Sequence, residues 1–130
     1  MNAQGPAVEP DRAPADGYAR RFDLPDAAAT AALGAALAPH LRQGDLLALG
    51  GDLGAGKTTL ARGLIGGLGY GGPVPSPTFT LVQVYENDNG GAPVWHFDLY
   101  RLEHGEEIFE LGIEDAFDTA ICLIEWPEKM

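Results

Sequence analysis

The chain has 130 residues, the length of a single domain, and 45% of them are hydrophobic, which suffices to build a buried core. Its 19 acidic residues outnumber 8 basic ones and give a formal net charge of -11. Such a surface repels nucleic-acid phosphates and anionic membranes, so we expect no strong direct binding of nucleic acid and no membrane association.

The N-terminal segment is predicted to be a disordered tail. Residues 1–17, MNAQGPAVEPDRAPADG, are rich in proline, alanine and glycine and contain no aromatic residue. The segment lacks the pattern of a secretory signal, and no apolar run approaches the length of a membrane span, so we expect a cytoplasmic protein. A single domain is expected over 18–130, and it opens with a weak strand candidate at 18–22.

A first helix is predicted to begin at Asp26 and to end or bend at Pro39. The Asp26 carboxylate is a suitable N-cap because it can accept hydrogen bonds from amides of the first turn. Apolar positions with a spacing of four, typical of an amphipathic helix, are Leu33, Leu37 and Leu41. The apolar run DLLALG (45–50), which is bounded by turn residues, then predicts a buried central strand.

A phosphate-binding loop is predicted directly after that strand. Residues 51–58, GDLGAGKT, match the pattern G-x-x-x-x-G-K-[ST], and a helical pattern follows them. Glycines let the backbone turn tightly, so that successive amides can point at phosphate oxygens. Lys57 can reach the β- and γ-phosphates of a nucleotide, and the Thr58 hydroxyl can be a ligand of Mg²⁺.

A loop rich in glycine and proline, residues 69–80, follows the helix predicted after the phosphate-binding loop. It ends in SPTFT (76–80), where Ser76 and Thr78 have two interpretations that the pattern leaves open. They form a switch segment that contacts the γ-phosphate or its metal, or they shape the turn into the next strand.

The rest of the chain predicts more strands and short helices. Three further strands are predicted from apolar runs, at 79–86, 93–100 and 119–126. The first two flank a hairpin turn, NDNGGA, and EEIFELGIEDAF predicts short helix with a break at Gly112. Cys122, the only cysteine, is interpreted as a core residue, and no disulfide can form within the chain. This order of elements predicts an α/β fold with a mixed sheet flanked by helices.

Two acidic residues, Asp98 and Glu125, each end an apolar run that is predicted to be a strand. A nucleotide-hydrolysing site needs a carboxylate near its metal, so one would hold Mg²⁺ while the other orients the attacking water. The pattern leaves the division of these roles open. His96 alternates with Asp98 and so faces the same side, and it is interpreted as a hydrogen-bonded packing residue and not as a catalyst. Trp126 is likewise interpreted as core or rim packing in preference to a neighbour of an adenine ring.

Taken together, these motifs resemble the TsaE (formerly YjeE) family of bacterial ATPases, from about residue 22 to the end. The resemblance rests on LPDAAAT, GDLGAGKTTLARG, SPTFTLV, HFDLYRL, EEIFELGIEDAF and ICLIEWPEK, in this order. It implies a P-loop NTPase-like fold and a role in making threonylcarbamoyladenosine (t6A), the modified base beside the tRNA anticodon. It also implies that ATP and Mg²⁺ are bound, and that ATP hydrolysis resets a partner complex of TsaB and TsaD between turnovers.

The resemblance also implies a role for individual positions. The residues implied to hold the phosphates are consecutive: Leu53, Gly54, Ala55, Gly56, Lys57 and Thr58. Thr58 and Glu125 would be the Mg²⁺ ligands, and Lys57 and Asp98 would act in catalysis, Asp98 as the acid needed for hydrolysis. The segment Asp26–Thr30 would lie near the nucleotide base.

The sequence departs from the family pattern at its C-terminus. Family chains continue past EWPEK with further strands, whereas this sequence stops at Met130. We therefore expect the C-terminal strands of the sheet to be missing and its apolar edge to be open. The expected consequences are lower stability and either self-association through that edge or dependence on partners.

Two other functions remain open at this point. A small-molecule kinase would transfer the phosphoryl group to a metabolite hydroxyl, but it needs a lid supplied with arginines. Half of the arginines, Arg12, Arg20 and Arg21, precede the first predicted helix, so such a lid is poorly supplied. A nucleotide-dependent adaptor would bind its partner with ATP and would not hydrolyse it.

Overall fold

The computed structural model of the chain describes residues 20–52, 56–70, 74, 81–86 and 91–130. The elements are α1 (Ala27–Leu37), β1 (Leu46–Leu49), α2 (Lys57–Gly67), β2 (Val82–Tyr85), β3 (Val94–Asp98), α3 (Glu107–Glu110), α4 (Ile113–Thr119) and β4 (Ile121–Glu125). Short 3₁₀ turns follow α1 at Ala38–His40 and β4 at Pro127–Lys129. Predictions for the tail at 1–17, for Leu53, Gly54 and Ala55, and for Ser76 and Thr78 lie outside the described residues.

The described strands form one open, mixed sheet in the order β1-β4-β3-β2. β1, β4 and β3 are parallel, whereas β2 is antiparallel to β3. Helices pack on both faces, α2 on one and α3 with α4 on the other. The predicted α/β fold with a mixed sheet flanked by helices is therefore confirmed, and the parallel strands place their carboxyl ends at one edge.

β1 is an edge strand of the described sheet, so the prediction of a buried central strand at 45–50 is wrong. Among the described strands it pairs with β4 alone, and Leu46 is 42% exposed while Leu49 is buried. An apolar run indicates that a segment packs against something, but it does not indicate on how many sides.

β4 lies between β1 and β3, and every one of its residues is buried. Because side chains alternate along a strand, Ile121 and Leu123 pack on the α2 side, whereas Cys122 and Ile124 pack on the α3 and α4 side. Glu125 ends the strand on the same face as Leu123. The carboxylate is therefore directed to the side on which α2 lies.

The helix boundaries follow local signals in the sequence. Asp26 caps α1 as predicted, since its Oδ1 accepts a hydrogen bond from Ala29 N at 2.8 Å. The helix ends before the 3₁₀ turn that contains Pro39. Gly112 separates α3 from α4 with a φ of 85°, as the predicted break requires. None of the described helices has the length and apolar character needed to cross a membrane.

α1 and α2 approach each other through glycines, and the predicted leucine stripe coincides with the buried face only in part, since Leu33 and Leu41 are half-buried and Leu41 packs against the core. Gly34 is the buried residue of α1, whereas Leu37 is 36% exposed. A Cβ atom on Gly34 would lie 2.6 Å from Leu60 O, which is closer than real Cβ contacts. The close packing of α1 on α2 fixes the position of α2 in the fold, including the position of its first turn.

Candidate functional site

The carboxyl ends of three parallel strands meet at one edge of the sheet, which we call the strand-end site. In register, Leu49 of β1 lies beside Glu125 of β4, and Glu125 lies beside Asp98 of β3. α2 begins at Lys57 shortly after β1 ends, so its first turn lies at the same edge. Ligands of open α/β sheets bind at this kind of edge.

The strand-end site contains a contact between a helix hydroxyl and a strand carboxylate. The Thr58 hydroxyl donates a hydrogen bond to Glu125 Oε1 at 2.8 Å. Glu125 is only 2% exposed. The two residues lie 67 positions apart along the chain, so the fold brings them together. Hydroxyl and carboxylate oxygens are the ligands that suit a hard cation such as Mg²⁺.

The start of α2 is formed so that it can accept an anion. Gly56 precedes the helix with a φ of 93°, a left-handed conformation that favours glycine. No side chain of the described residues caps this N-terminus. The amides of the first turn and the positive end of the helix dipole can therefore interact with negatively charged oxygens.

The Lys57 ammonium group is bound by carbonyl groups of the preceding loop. Its Nζ donates hydrogen bonds to Gly51 O and Asp52 O, both at 2.7 Å, and lies 3.9 Å from the centre of the Trp126 ring. Carbonyl oxygens and the face of an indole both attract a cation. These contacts compensate the burial of Lys57, which is 8% exposed.

Trp126 covers the lysine because the backbone turns sharply after β4. Its φ of 61° and ψ of 54° lie in the left-handed region, which is uncommon for residues other than glycine. Trp126 N donates to Leu49 O at 3.3 Å, and the ring packs on Tyr100 at 4.8 Å between centroids. The interpretation of Trp126 as packing alone did not include its contact with Lys57.

Asp98 lies beside Glu125 and is held by the turn that follows β3. Its Oδ1 accepts a hydrogen bond from Tyr100 N at 3.1 Å, and Leu99 N donates to Glu125 O at 3.1 Å. The first bond stabilises the turn after β3, and the second joins the ends of β3 and β4. Because Asp98 is 7% exposed, its carboxylate is held at the edge and does not extend into solvent.

His96 contacts the same carboxylate from the neighbouring strand. Its Nε2 lies 2.6 Å from Glu125 Oε2, and the residue is fully buried. His96 and Asp98 share one face of β3, as their alternation predicts. This contact agrees with the interpretation of His96 as a hydrogen-bonded packing residue, although the sequence did not identify the partner, which lies 29 positions away.

A cavity of about 340 Å³ lies next to the strand-end site. It is bounded by the residues before and within α1, the end of β1 and the start of α2: Leu24, Thr30, Ala48, Leu49, Gly50, Gly56, Lys57 and Leu60. Its size lies in the range of small-ligand pockets. The cavity thus extends the site from Lys57 towards the segment Asp26–Thr30.

The structure brings together the predicted site residues that it describes. Gly56, Lys57, Thr58, Asp98 and Glu125 lie at the strand-end site. The three remaining predicted phosphate-binding residues fall outside the described ranges. The resemblance implied that Thr58 and Glu125 lie near one metal ion, but the contacts of Glu125 with His96 and of Lys57 with Trp126 were not predicted, because they depend on which strands become neighbours.

A separate polar cluster lies in the turn that leads into α3. One ligand atom each of Glu103, His104 and Glu107 lies within 4.8 Å of the others. Two of these side chains are exposed and the third is half-buried. Such clusters are ordinary on an acidic surface, and we assign this one no role.

Comparison with protein families matches residues 24–130 to a family described as threonylcarbamoyl adenosine biosynthesis protein TsaE. A tRNA threonylcarbamoyladenosine biosynthesis protein TsaE from Haemophilus influenzae is 53% identical over 91 residues, which are 69% of this chain and 56% of that protein. Proteins of the same name from Streptomyces coelicolor and Synechocystis are 46% and 43% identical over 97 and 113 residues, or 74% and 84% of this chain. The matches span 66% and 71% of those two relatives.

Proposed function

This chain belongs to the TsaE family of threonylcarbamoyl adenosine biosynthesis proteins, and from that premise we propose that it binds and slowly hydrolyses ATP to support tRNA modification. Its curated relatives are named as tRNA threonylcarbamoyladenosine biosynthesis proteins. We propose that its ATPase cycle acts on a TsaB–TsaD-like complex that modifies the tRNA. The net charge of -11 supports action through a protein partner, because an acidic surface repels tRNA.

The contact between Thr58 and Glu125 is the observation that carries this proposal. A hydroxyl at the start of a helix, next to a buried carboxylate on a parallel strand, is an arrangement suited to Mg²⁺. At 2.8 Å, the two side chains already reach the same point from different elements. Thr58 and Glu125 would be the magnesium ligands, and a magnesium ion there would neutralise charge on the nucleotide phosphates.

We propose that the backbone of the loop and the start of α2 surround the phosphates. The residues in this role are Leu53, Gly54, Ala55, Gly56, Lys57 and Thr58. The left-handed Gly56 and the uncapped start of α2 support it. Lys57 would exchange a carbonyl partner for a phosphate oxygen, and its charge would stabilise the negative charge that develops during hydrolysis.

Asp98 is the residue that we propose orients the attacking water. Its buried carboxylate lies beside Glu125 and is held by the Tyr100 amide. It can accept a hydrogen bond from water and so direct the lone pair of the water oxygen at the γ-phosphorus. The water oxygen forms a bond to that phosphorus while the bond to the bridging oxygen of ADP breaks, and the proton that the water loses is released to solvent. The products are ADP and inorganic phosphate.

The nucleoside end of ATP is assigned to the cavity beside α1. The cavity extends from Lys57 to Thr30 and Leu24, and much of its lining is apolar, which suits an adenine ring. This position agrees with the segment Asp26–Thr30 that the family resemblance implies to lie near the base.

Substitution of Lys57 is the first test of this function. We expect Lys57→Ala to reduce steady-state ATP hydrolysis to background, because the charge that binds the phosphates is lost. Lys129→Ala is the matched control, since Lys129 is the only other lysine and is exposed. Hydrolysis by Lys57→Ala at the wild-type rate would contradict the proposed site.

Two further measurements separate the parts of the proposal. Asp98→Ala should slow hydrolysis by roughly 10²–10⁴-fold and change nucleotide affinity much less. Hydrolysis at the wild-type rate by this variant would show that Asp98 has no catalytic role. The tests of the two alternatives use other readouts. Partner binding and tRNA modification are both measured with purified TsaB–TsaD-like proteins in ATP, ADP and a non-hydrolysable analogue. If the analogue supports modification as well as ATP does, the chain is an adaptor. If a metabolite stimulates the release of ADP, the chain is a kinase.

A further inference from the structure

Each oxygen of the Glu125 carboxylate has its own hydrogen-bond donor. Thr58 Oγ1 donates to Oε1 at 2.8 Å, and His96 Nε2 lies 2.6 Å from Oε2. Glu125 is 2% exposed and His96 is fully buried, so bulk water has little access to either contact. Two donors from different elements fix the plane of a carboxylate that ends a strand and would otherwise rotate.

The surroundings of the His96 ring determine which nitrogen carries the proton. Nδ1 is buried and has no hydrogen-bond partner among the described residues. A proton on Nδ1 would bury an unsatisfied N–H group, whereas an unprotonated Nδ1 leaves only an unsatisfied acceptor, and Nε2 needs its proton to bond to the carboxylate. The geometry therefore places a proton on Nε2, where it can bond to the carboxylate.

The backbone of His96 is fixed by strand pairing on both sides. His96 pairs with Leu123 in the parallel ladder between β3 and β4, and it pairs with Gln83 on the other side. A donor on a strand that is hydrogen-bonded on both sides keeps a more constant position than one on a loop.

We propose that His96 is a positioning residue, whose Nε2–H holds Glu125 in the orientation in which this carboxylate and Thr58 receive Mg²⁺ with the nucleotide. This inference rests on the proposed function, because it assigns a metal ligand its orienting partner. Carboxylates that bind metal ions in proteins are commonly hydrogen-bonded by neighbouring groups that fix their orientation. Unlike Thr58, His96 would not contact the metal or the nucleotide itself.

Substitutions at one position separate positioning from packing. His96→Leu keeps the approximate size of the side chain but removes the donor. His96→Gln offers an amide N–H near the position of Nε2. Val94→Ala is the matched control, because Val94 is buried on the same face of β3 and belongs to the apolar core. Thermal unfolding of all three variants measures their loss of stability.

Calorimetric titration of the full chain with a non-hydrolysable ATP analogue, at a series of Mg²⁺ concentrations and in EDTA, gives the decisive readout. We expect His96→Leu to weaken the magnesium-dependent part of the affinity by about 10–100-fold and to leave the affinity in EDTA unchanged. His96→Gln should recover most of the loss, and Val94→Ala should show wild-type magnesium dependence. Wild-type magnesium dependence in His96→Leu, or equal losses in His96→Leu and His96→Gln, would overturn the inference.

Nitrogen NMR of the histidine rings tests the donor without any nucleotide. The His96 resonance, assigned by its loss in His96→Gln, should have the pattern of a ring protonated on Nε2. A ring protonated on Nδ1 would overturn the inference even if ATP binds with magnesium. If the wild-type chain binds no adenine nucleotide, the proposed function fails and the magnesium role of His96 fails with it, whichever tautomer is found.

Discussion

Lys57, Asp98 and Glu125 are all buried at the strand-end site, and the contacts of Lys57 and Glu125 show how two of these charged side chains are accommodated. The ammonium group of Lys57 has two loop carbonyls and the Trp126 ring, and the carboxylate of Glu125 has the Thr58 hydroxyl and the His96 ring. Because a buried charge without partners costs several kcal/mol, each donor at Glu125 contributes to stability as well as to geometry.

Removal of the Thr58 hydroxyl should therefore destabilise the chain even without nucleotide. We expect Thr58→Val, which keeps the shape, to lower the free energy of unfolding by about 1–3 kcal/mol, because Glu125 Oε1 loses a donor. Thr58→Ser keeps the hydroxyl and should lose much less. Urea denaturation of both variants checks this, and equal stability of the two would show that the hydrogen bond is not stabilising.

Cys122 should make stability depend on pH in the alkaline range. Burial raises the pKa of its thiol from 9.0 to about 11. Between these values the unfolded chain has lost the thiol proton while the folded chain keeps it, so the free energy of unfolding should fall as pH rises from about 9 to about 11.

The control for this prediction is Cys122→Ala. The quantity compared between the two proteins is the slope of the free energy of unfolding against pH, and not its absolute value. Burial also raises the pKa of the Tyr85 hydroxyl, with an opposing effect of Arg62, and this group remains in both proteins. Urea denaturation at several pH values should give a shallower decline in Cys122→Ala. Parallel curves would contradict the assigned effect of the thiol.

At the scale of elements, the α1–α2 pair depends on glycines that leave no space for a side chain. A Cβ atom on Gly67 would lie 2.7 Å from Ala38 Cβ, and one on Gly63 would collide with the backbone carbonyl of Ala31. The beginning and end of α1 were predictable because capping by Asp26 and termination near Pro39 are local effects. Its buried face was not predictable from leucine spacing, because α2 approaches the glycine side instead.

Two glycines of α2 offer a matched pair of substitutions. Gly63→Ala should destabilise the chain by about 1–3 kcal/mol, since the new methyl group overpacks the helix contact. Gly66→Ala should be neutral or stabilise by up to about 1 kcal/mol, because nothing lies within 4 Å of its Cβ and alanine favours helix. Thermal and urea unfolding measure both, and equal effects would show that the helices can separate without cost.

At the scale of the whole molecule, charge and sheet order have separate consequences. The net charge of -11 opposes compaction through mutual repulsion of carboxylates. The described sheet is open at β1, where Leu46 is 42% exposed, and the expected self-association through an apolar edge stays a prediction.

Salt should stabilise this acidic chain. Raising NaCl from about 0.01 M to about 1 M shortens the Debye length from roughly 30 Å to roughly 3 Å, so repulsion between carboxylates is screened and Tm should rise. A variant with Glu110→Gln and Asp118→Asn, two exposed positions, should show a smaller increase. A Tm that is independent of salt in both proteins would contradict a role for net charge.

The sequence alone determined the features that depend on neighbouring residues. The prediction that Gly56, Lys57 and Thr58 belong to a phosphate-binding loop rests on the glycine spacing and the adjacent helix, which lie within one short segment, and it stays a prediction. Asp98 and Glu125 could be placed at strand ends for the same reason, since each follows an apolar run. The fold class followed from the order of these local elements.

Only the tertiary structure decided which of these groups touch. The placement of β4 between β1 and β3 brings Glu125 within reach of both Thr58 and His96, and the left-handed turn at Trp126 lays an indole over Lys57. The same strand order leaves β1 at an edge of the described sheet. Strand order and register arise from the balance of packing over the whole chain, so short-range patterns do not contain them.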